Sequence, residues 1–367
     1  TAGIAITKIN HCFTAYEPEK IQVFEAAHPV PDENGLKGTE AIVNLIKDSD
    51  QNTLVVCLIS GGGSALLVHP CDGITLDEKK KVTELLLKAG ANIEELNAVR
   101  KHISEVKGGR LAEIAYPSRV ISLILSDVIG DKLDVIASGP TSPDKTTYDD
   151  ALRVLEKYGL IEKAPGKILE FLQKGVIGLI PETPKEGDII FGKVENIIIG
   201  SNKKALDAAK KKADELGFDT TIISSNVQGE AEETGRWLSK IAREIKSLYK
   251  LNRPLCLLSG GETTVTVRGN GLGGRNMELA LAFAIEIDGL DGITLLSAGT
   301  DGTDGPTDAA GAIVDGKIHK KAKSLGIDPV EYLENNDSYN FFKKIGGLFI
   351  TGPIGTNVMD IQVMIIE

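Results

Sequence analysis

Between Ser297 and Asp308 the chain reads SAGTDGTDGPTD, which places three glycines and Asp301, Asp304 and Asp308 in twelve residues directly after the apolar run ITLLSA. A strand that stops in such a loop presents carboxylates and bare amides at one point in space, where α/β proteins handle charged ligands. The aspartates fall at positions 1, 4 and 8 without a closing glutamate, so the EF-hand pattern fails, and Mg2+ shared with substrate phosphates suits the loop better. The complementary cation is offered by the tract SGGETTVTVRGNGLGGRNME, residues 259–278. Gly269, Gly271 and Gly274 fit the dinucleotide pattern GxGxxG, and the helical stretch MELALAFAIEI follows. The preceding TTVTVR alternates, however, which predicts an exposed or antiparallel strand, not the buried first strand of a nucleotide unit. Arg275 changes the sense of the tract, because a guanidinium beside helix N-terminal amides is a clamp for phosphate or carboxylate.

Three other tracts carry polar chemistry. SGGGSA at residues 60–65 follows a strand, and its glycines let the main chain approach a ligand while successive amides form a nest for oxyanions. A tight turn without a ligand is the plainer alternative. In LNAVRKHISEVKGGRLA, residues 96–112, Asn97, Arg100 and Lys101 share a helix face, and Lys107 to Arg110 make a second cationic turn. A solvated basic helix would read the same way. LSDVIGDKLDVIASGPTSPD, residues 125–144, adds Asp127 directly after a strand, a candidate general base or metal ligand, whereas Asp131 reads as turn chemistry. His11, His28, His69, His102 and His319 show no zinc spacing, and neither a GxSxG elbow nor a GxxxxGK[ST] loop is present.

The elements that must position these residues repeat one plan. Apolar runs at NTLVVCLIS, VISLILS, NIIIGSN, PLCLLS and ITLLSAG each end in a small-residue loop, and helical patterns lie between them, among them residues 76–89 with a Thr75/Glu78 capping box and residues 231–249. Such alternation predicts right-handed βαβ units, a mainly parallel sheet and an aliphatic core. Residues 175–193 carry two prolines and four glycines, which marks a domain boundary, with part of that stretch still eligible as a strand. A net charge of −11 excludes nucleic acid and anionic membrane as partners, but not a small anion held by local cations. Cys12, Cys57, Cys71 and Cys256 lack CxxC spacing, and Cys57 and Cys256 read as core residues. With no apolar run long enough to span a membrane and no signal-peptide pattern, the expected compartment is the cytoplasm.

Taken in order, LISGGGSALL, LNAVRKHISEVKGGRLA, LSDVIGDKLDVIASGP, SGGETTVTVRGNGLGGRNMELAL, SAGTDGTDGPTDAAGAIVDG and FITGPIGTNVMDI resemble the class II glycerate kinase (glycerate 2-kinase) family with its C-terminal MOFRL domain, over about His28 to Asp360. The resemblance implies ATP- and Mg2+-dependent phosphorylation of D-glycerate to 2-phosphoglycerate. It implies an α/β chain of two domains, a Rossmann-like, mainly parallel one at residues 1–190 and a second, MOFRL-type α/β domain at 191–367, with the site in the cleft between them. Members begin with a further strand, loop and helix bearing a Gly-Lys motif whose lysine acts in catalysis. This chain opens at TAGIAITK, and no residue matches that lysine, Lys8 included. The expectation is a portion of a longer protein, with an unpaired sheet neighbour where the preceding strand belongs.

On that basis Arg275, Asp127 and Asp301 are the expected catalytic residues: Arg275 matches the family's arginine in GGRN, for the glycerate carboxylate or the transferring phosphoryl group, and Asp127 or Asp301 accepts the C2 hydroxyl proton. Ser60, Gly61, Gly62, Gly63, Ser64, Asn97, Arg100, Lys101, Gly260, Gly261, Gly273, Gly274 and Asn276 are expected to line the substrate and phosphate path, and Glu262 and Asp304 to meet Mg2+. A homodimer is the usual prior for a soluble enzyme. The rival readings are an NAD(P)H-dependent hydroxypyruvate reductase, with Gly269, Gly271 and Gly274 on the pyrophosphate and His319 as proton donor, and a non-catalytic phosphometabolite-binding protein.

Overall fold

The computed structural model describes residues 2–12, 20–249 and 251–367. The chain divides into two compact units, one made of Thr1–Ile124 and Asp131–Ile199, the other of Leu125–Gly130 and Gly200–Glu367.

In the first unit β1 (Gly3–Lys8) pairs in parallel with β2 (Ile21–Ala26) as a two-stranded sheet. There follow α1 (Glu33–Ile46), β3 (Leu54–Ile59), α2 (Gly63–Leu66), α3 (Leu76–Lys88), α4 (Ile93–His102), α5 (Arg110–Ala115), β4 (Arg119–Leu125), α6 (Tyr148–Lys157), α7 (Gly166–Val176) and β5 (Val194–Gly200). β4 is central in a three-stranded sheet of order β3-β4-β5, with β3 parallel to it. The helices start where the sequence supplies caps: Thr75 with Glu78, Asn92 with Glu95 and Thr147 with Asp150 each close a capping box. Val82, Leu86, Val99, Leu155, Ile168 and Leu172 of α3, α4, α6 and α7 form one aliphatic core. β3 was expected to be covered on both faces, yet Leu54, Val56 and Leu58 are exposed and alternate with half-buried Val55, Cys57 and Ile59. Residues 177–193 hold no strand; a 3-10 turn at Ile189–Lys193 leads into β5.

The second unit contains α8 (Asn202–Glu215), β6 (Asp219–Val227), α9 (Ala231–Leu248), β7 (Leu255–Gly261), α10 (Arg275–Glu286), β8 (Ile293–Gly299), β9 (Gly311–Asp315), α11 (Ile318–Ser324), α12 (Pro329–Glu334), α13 (Ser338–Ile345), β10 (Leu348–Phe349) and β11 (Asp360–Ile366). Its sheet runs β10-β9-β8-β11-β7-β6. β6 and β7 are parallel, as the βαβ plan predicts, but β11 inserts antiparallel to both β7 and β8, and β9 and β10 continue antiparallel at one edge. Strand direction is set by the route of the connection, which periodicity does not encode, so the sheet is mixed where a mainly parallel one was expected. TTVTVR departs further: only Thr264 makes a bridge, to Glu230, and the rest is loop. Helix α10 is buried along Asn276–Ala284, as a helix that is apolar almost all round must be. Helix α9 lies against it, and Gly235 allows the approach, because a Cβ there would run into the Leu279 carbonyl.

Candidate active site

The geometry of the second unit follows from where β11 starts. Asp360, its first residue, is in register with Gly261 at the end of β7 and with Gly299 at the end of β8. The loop after β7, the acidic loop after β8 and the start of β11 are thereby brought to one point, at the carboxyl ends of two strands that run the same way on either side of β11. Arg275, at the start of α10, lies there between two carboxylates. Buried Asp360 takes its Nε at 2.6 Å and its Nη2 at 2.9 Å, and Glu262 Oε1 takes Nη1 at 2.7 Å. Burial alone would weaken the guanidinium's hold on its proton, but hydrogen bonding to Asp360 and the charges of Asp360, Glu262 and Asp304 outweigh it, so its pKa is raised and the cation is fixed. Of five guanidinium N–H groups three are engaged here, and the other two meet no partner among the described residues. The Glu262 carboxyl is raised above its usual range, first by burial and then, against the pull of Arg275, by the charges of Asp360 and Asp127.

Within the acidic loop the three aspartates divide. Asp304, 2% exposed, accepts the Asn276 amide at 3.1 Å and the Met277 amide at 2.8 Å, so it caps α10 from outside the helix. Burial pushes its carboxyl up to about 6 in spite of those two amides. Asp301 accepts the Thr303 amide at 3.0 Å, and Asp308 accepts the Tyr339 hydroxyl at 2.8 Å. Asn276 is buried and accepts the Ser297 hydroxyl at 2.7 Å.

Several glycines read as ligand-facing instead make room for the chain itself. A Cβ on Gly274 would strike the Asp304 carboxylate, on Gly273 the Ser338 hydroxyl, on Gly260 the Asn202 amide and on Gly261 the Val227 backbone. Asn202 in turn donates to the carbonyls of Val358 and Asp360, at 3.0 and 2.8 Å, and so fixes the entry to β11. The GxGxxG amides are likewise engaged: Arg268 and Gly269 donate to Asn336 Oδ1, Asn270 to Asn335 Oδ1, Gly271 to the Asn335 carbonyl and Leu272 to Asp337 Oδ1. Asp304 takes the Asn276 and Met277 amides as well, so most of the tract's amides are taken up within the chain.

In the first unit Ser60 is exposed and Gly61, Gly62, Gly63 and Ser64 are half-buried at the end of β3. The helix bearing Asn97, Arg100 and Lys101 is not a solvated basic face. Lys101 is buried with its ammonium 3.2 Å from Asp144 and 3.8 Å from Asp134. Burial presses the Asp144 carboxyl upward, but Lys101 and His102 prevail and hold it low. Asn97 is buried on the Ser138 hydroxyl, and Arg100 is half-buried. Lys107 is fully buried on the Ala137 carbonyl, and Arg110 on the Ser104 carbonyl and the Tyr148 hydroxyl. Asp127 is half-buried in the segment grouped with the second unit, where its charge acts on Glu262. Among the described residues no group of three or more His, Cys, Asp or Glu side chains is disposed to hold a metal ion, because Glu262 is turned to Arg275 and Asp304 to the α10 amides.

Asp360 is the residue the sequence reading missed. An aspartate opening an apolar run looks like an ordinary solvated strand end, and only its register between two strand termini gives it Arg275 as a partner.

An α/β chain that locks a guanidinium between carboxylates at the carboxyl ends of its strands has the make-up of an enzyme acting on small anions. A domain of unknown function, DUF4147, matches residues 1–173, and the MOFRL family matches residues 255–360. The chain is 49% identical over 365 residues to a D-glycerate 2-kinase of Thermotoga maritima, covering 99% of this chain and 84% of that protein. It is 44% identical over 366 residues to a glycerate 2-kinase of Pyrococcus horikoshii, covering 99% and 81%. The crystal structure of a Thermotoga maritima glycerate kinase superimposes with a TM-score of 0.91 at 48% identity, over all of this chain and 85% of that one. The chain belongs to the glycerate kinase family with a C-terminal MOFRL domain.

Proposed function

We propose that this protein transfers the γ-phosphoryl group of ATP to the C2 hydroxyl of D-glycerate, giving 2-phosphoglycerate and ADP. The observation that carries this is Arg275, a permanently charged fork held by Asp360 and Glu262, with two donors that meet no partner among the described residues. Phosphoryl transfer demands positioning and charge neutralisation, and a fixed guanidinium supplies both to a carboxylate or to the migrating phosphoryl group. The C2 oxygen bonds to phosphorus as the bond to the ADP oxygen breaks, and the hydroxyl proton passes to a carboxylate. Asp127 is our choice for that acceptor, with Asp301 the second candidate, and the raised pKa of Glu262 suits it to share the proton.

Mg2+ enters with ATP as the substrate complex, neutralising phosphate charge when bound. Such an ion would be held chiefly by its waters and the phosphate oxygens, since among the described residues no cage of carboxylates is disposed to hold it; Glu262 or Asp304 would reach it through water. Residues 1–190 would form the glycerate kinase domain and 191–367 the MOFRL-type domain, of a cytoplasmic homodimer; light scattering of the purified protein tests the assembly. A reductase is disfavoured because the amides of Gly269, Asn270, Gly271 and Leu272, which would have to meet a pyrophosphate, are bonded within the chain. Incubation of the full-length protein with D-glycerate and MgATP should yield ADP only when both are present, with no loss of NADH absorbance on hydroxypyruvate. NADH consumption without ADP formation would overturn the proposal.

A further inference from the structure

Outside the Arg275 site, one cluster in the first unit has donors without acceptors. The loop after β3 leaves the amides of Gly61 and Gly62 without a partner among the described residues. Beside them the Ser64 hydroxyl meets the Ser138 hydroxyl at 2.9 Å, and Ser138 meets Asn97 Oδ1 at 2.9 Å. Asn97 is 2% exposed, and its Nδ2 has no hydrogen-bond partner among the described residues. An amide donor left unmade inside a protein costs about 1–3 kcal/mol, so its orientation calls for a cause.

The three side chains form a relay with two directions. With Oδ1 toward Ser138, protons point inward, from Ser64 to Ser138 to Asn97, and the Nδ2 donor is left over. If the Asn97 amide rotates by half a turn, Nδ2 donates to Ser138, Ser138 donates to Ser64, and the Ser64 hydroxyl proton is released toward the glycine loop. The second arrangement satisfies the buried amide donor and needs an acceptor at Ser64. The turn that carries Ser138 is built to hold it there. Ala137 and Ser138 are both left-handed, at φ 51° and 63°, and Gly108, Gly109 and Lys107 brace them through the carbonyls of Ser138, Gly139 and Ala137. On the other side of the loop, a Cβ on Gly62 would lie 3.1 Å from the His28 ring and 3.6 Å from Lys8 Cε, so both side chains pack against this glycine. Burial, reinforced by the Lys8 charge, lowers the His28 pKa, which leaves Lys8 as the local cation.

We infer that the Gly61–Ser64 loop is an oxyanion subsite in which the Ser64 hydroxyl and the Gly61 and Gly62 amides contact the ligand, while Ser138 and buried Asn97 are positioning residues that set the direction of the Ser64 proton. A hydroxyl and two amide donors beside Lys8 select a phosphate or carboxylate group over a neutral one. The inference rests on the phosphoryl-transfer reading for its ligands, which are the phosphates of ATP, the phosphate of 2-phosphoglycerate or the carboxylate of glycerate.

Calorimetric titration of the full chain with a non-hydrolysable ATP analogue, 2-phosphoglycerate and D-glycerate separates these sources. Ser64→Ala should weaken the ligand seated there by about tenfold or more, as for a lost hydrogen bond to a charged group, and Ser64→Thr should restore it. Asn97→Asp keeps the acceptor for Ser138 but cannot donate, so it locks the relay inward and should produce the same selective loss. Loss confined to the ATP analogue assigns the subsite to the nucleotide, loss confined to 2-phosphoglycerate assigns it to the transferred phosphate, and loss shared by 2-phosphoglycerate and glycerate assigns it to the carboxylate. Unchanged affinity for all three probes in a folded Ser64→Ala variant overturns the inference, as does an equal loss of all three with a lowered Tm. A full-length protein that makes no ADP yet loses one probe selectively on Ser64→Ala would sink the kinase reading and leave the subsite standing; no binding of any probe by the unaltered protein would overturn both.

Discussion

Arg275 engages three of its five N–H groups with Asp360 and Glu262, and the consequences of removing each partner differ. Arg275→Ala should lower kcat/KM by on the order of a hundredfold or more, the scale of one lost transition-state donor in a water-poor site. Arg275→Lys keeps the charge but not the fork, so it should recover only a fraction of the rate. Asp360→Asn should cost about tenfold with intact folding, because one oxygen still accepts while the bidentate hold is gone. Steady-state kinetics with a thermal melt for each variant checks the series; wild-type kcat/KM in a folded Arg275→Ala protein would remove the residue from the mechanism. At this scale the arginine and the acidic residues were legible from side-chain type beside glycine. Their partners were not, since Asp304 as a helix cap and Asp360 as a clamp depend on residues 27 and 85 positions from those they bond.

Among the elements, α9 and α10 show why a glycine in a helix has no fixed meaning. Alanine in place of glycine inside a helix gains about 0.5–1 kcal/mol from backbone entropy, and overpacking costs about 1–3 kcal/mol. At Gly235 a Cβ meets the Leu279 carbonyl, a backbone atom that cannot swing aside. Gly235→Ala is therefore expected to lower stability by roughly 1–2 kcal/mol, from the balance of those two terms. Gly166→Ala, at the start of α7 with nothing within 4 Å of the added carbon, should be neutral or slightly stabilising. Denaturant midpoints for both variants test the contrast, which would fail if the two moved together. The Thr75/Glu78 capping box and the strand positions were readable because they depend on neighbours in sequence. The antiparallel entry of β11 between β7 and β8 was not, because strand pairing is a long-range choice that an apolar run leaves open.

The molecule as a whole carries a titratable liability in its core. Lys79 is 3% exposed, and its ammonium has no hydrogen-bond partner among the described residues. Burial, with the Arg100 charge adding to it, lowers its pKa from 10.5 to about 8. Between those values the unfolded chain holds a proton that the folded chain has released, so stability should rise as pH increases from about 8 to about 10.5, and below that window the buried charge is a full penalty. The penalty is on the order of 3 kcal/mol by the usual conversion of a pKa shift. Lys79→Met removes the charge at similar volume, so it should raise the melting temperature by several degrees at pH 7 and flatten that rise; an unchanged slope would place the titration elsewhere.

Residue types and local spacing determined an acidic, aliphatic α/β chain, most strand and helix positions, and the tracts from which the site is drawn, because caps, periodicity and glycine-rich strand ends act over a few residues. The tertiary structure decided which of those groups are available. It turned Asp304 inward to cap α10, closed the GxGxxG amides on Asn335 and Asn336, buried Asn97 and Lys101, and set Asp360 against Arg275. Each outcome depends on which distant segment satisfies a buried donor or charge, and that pairing is fixed only when the strands take their register.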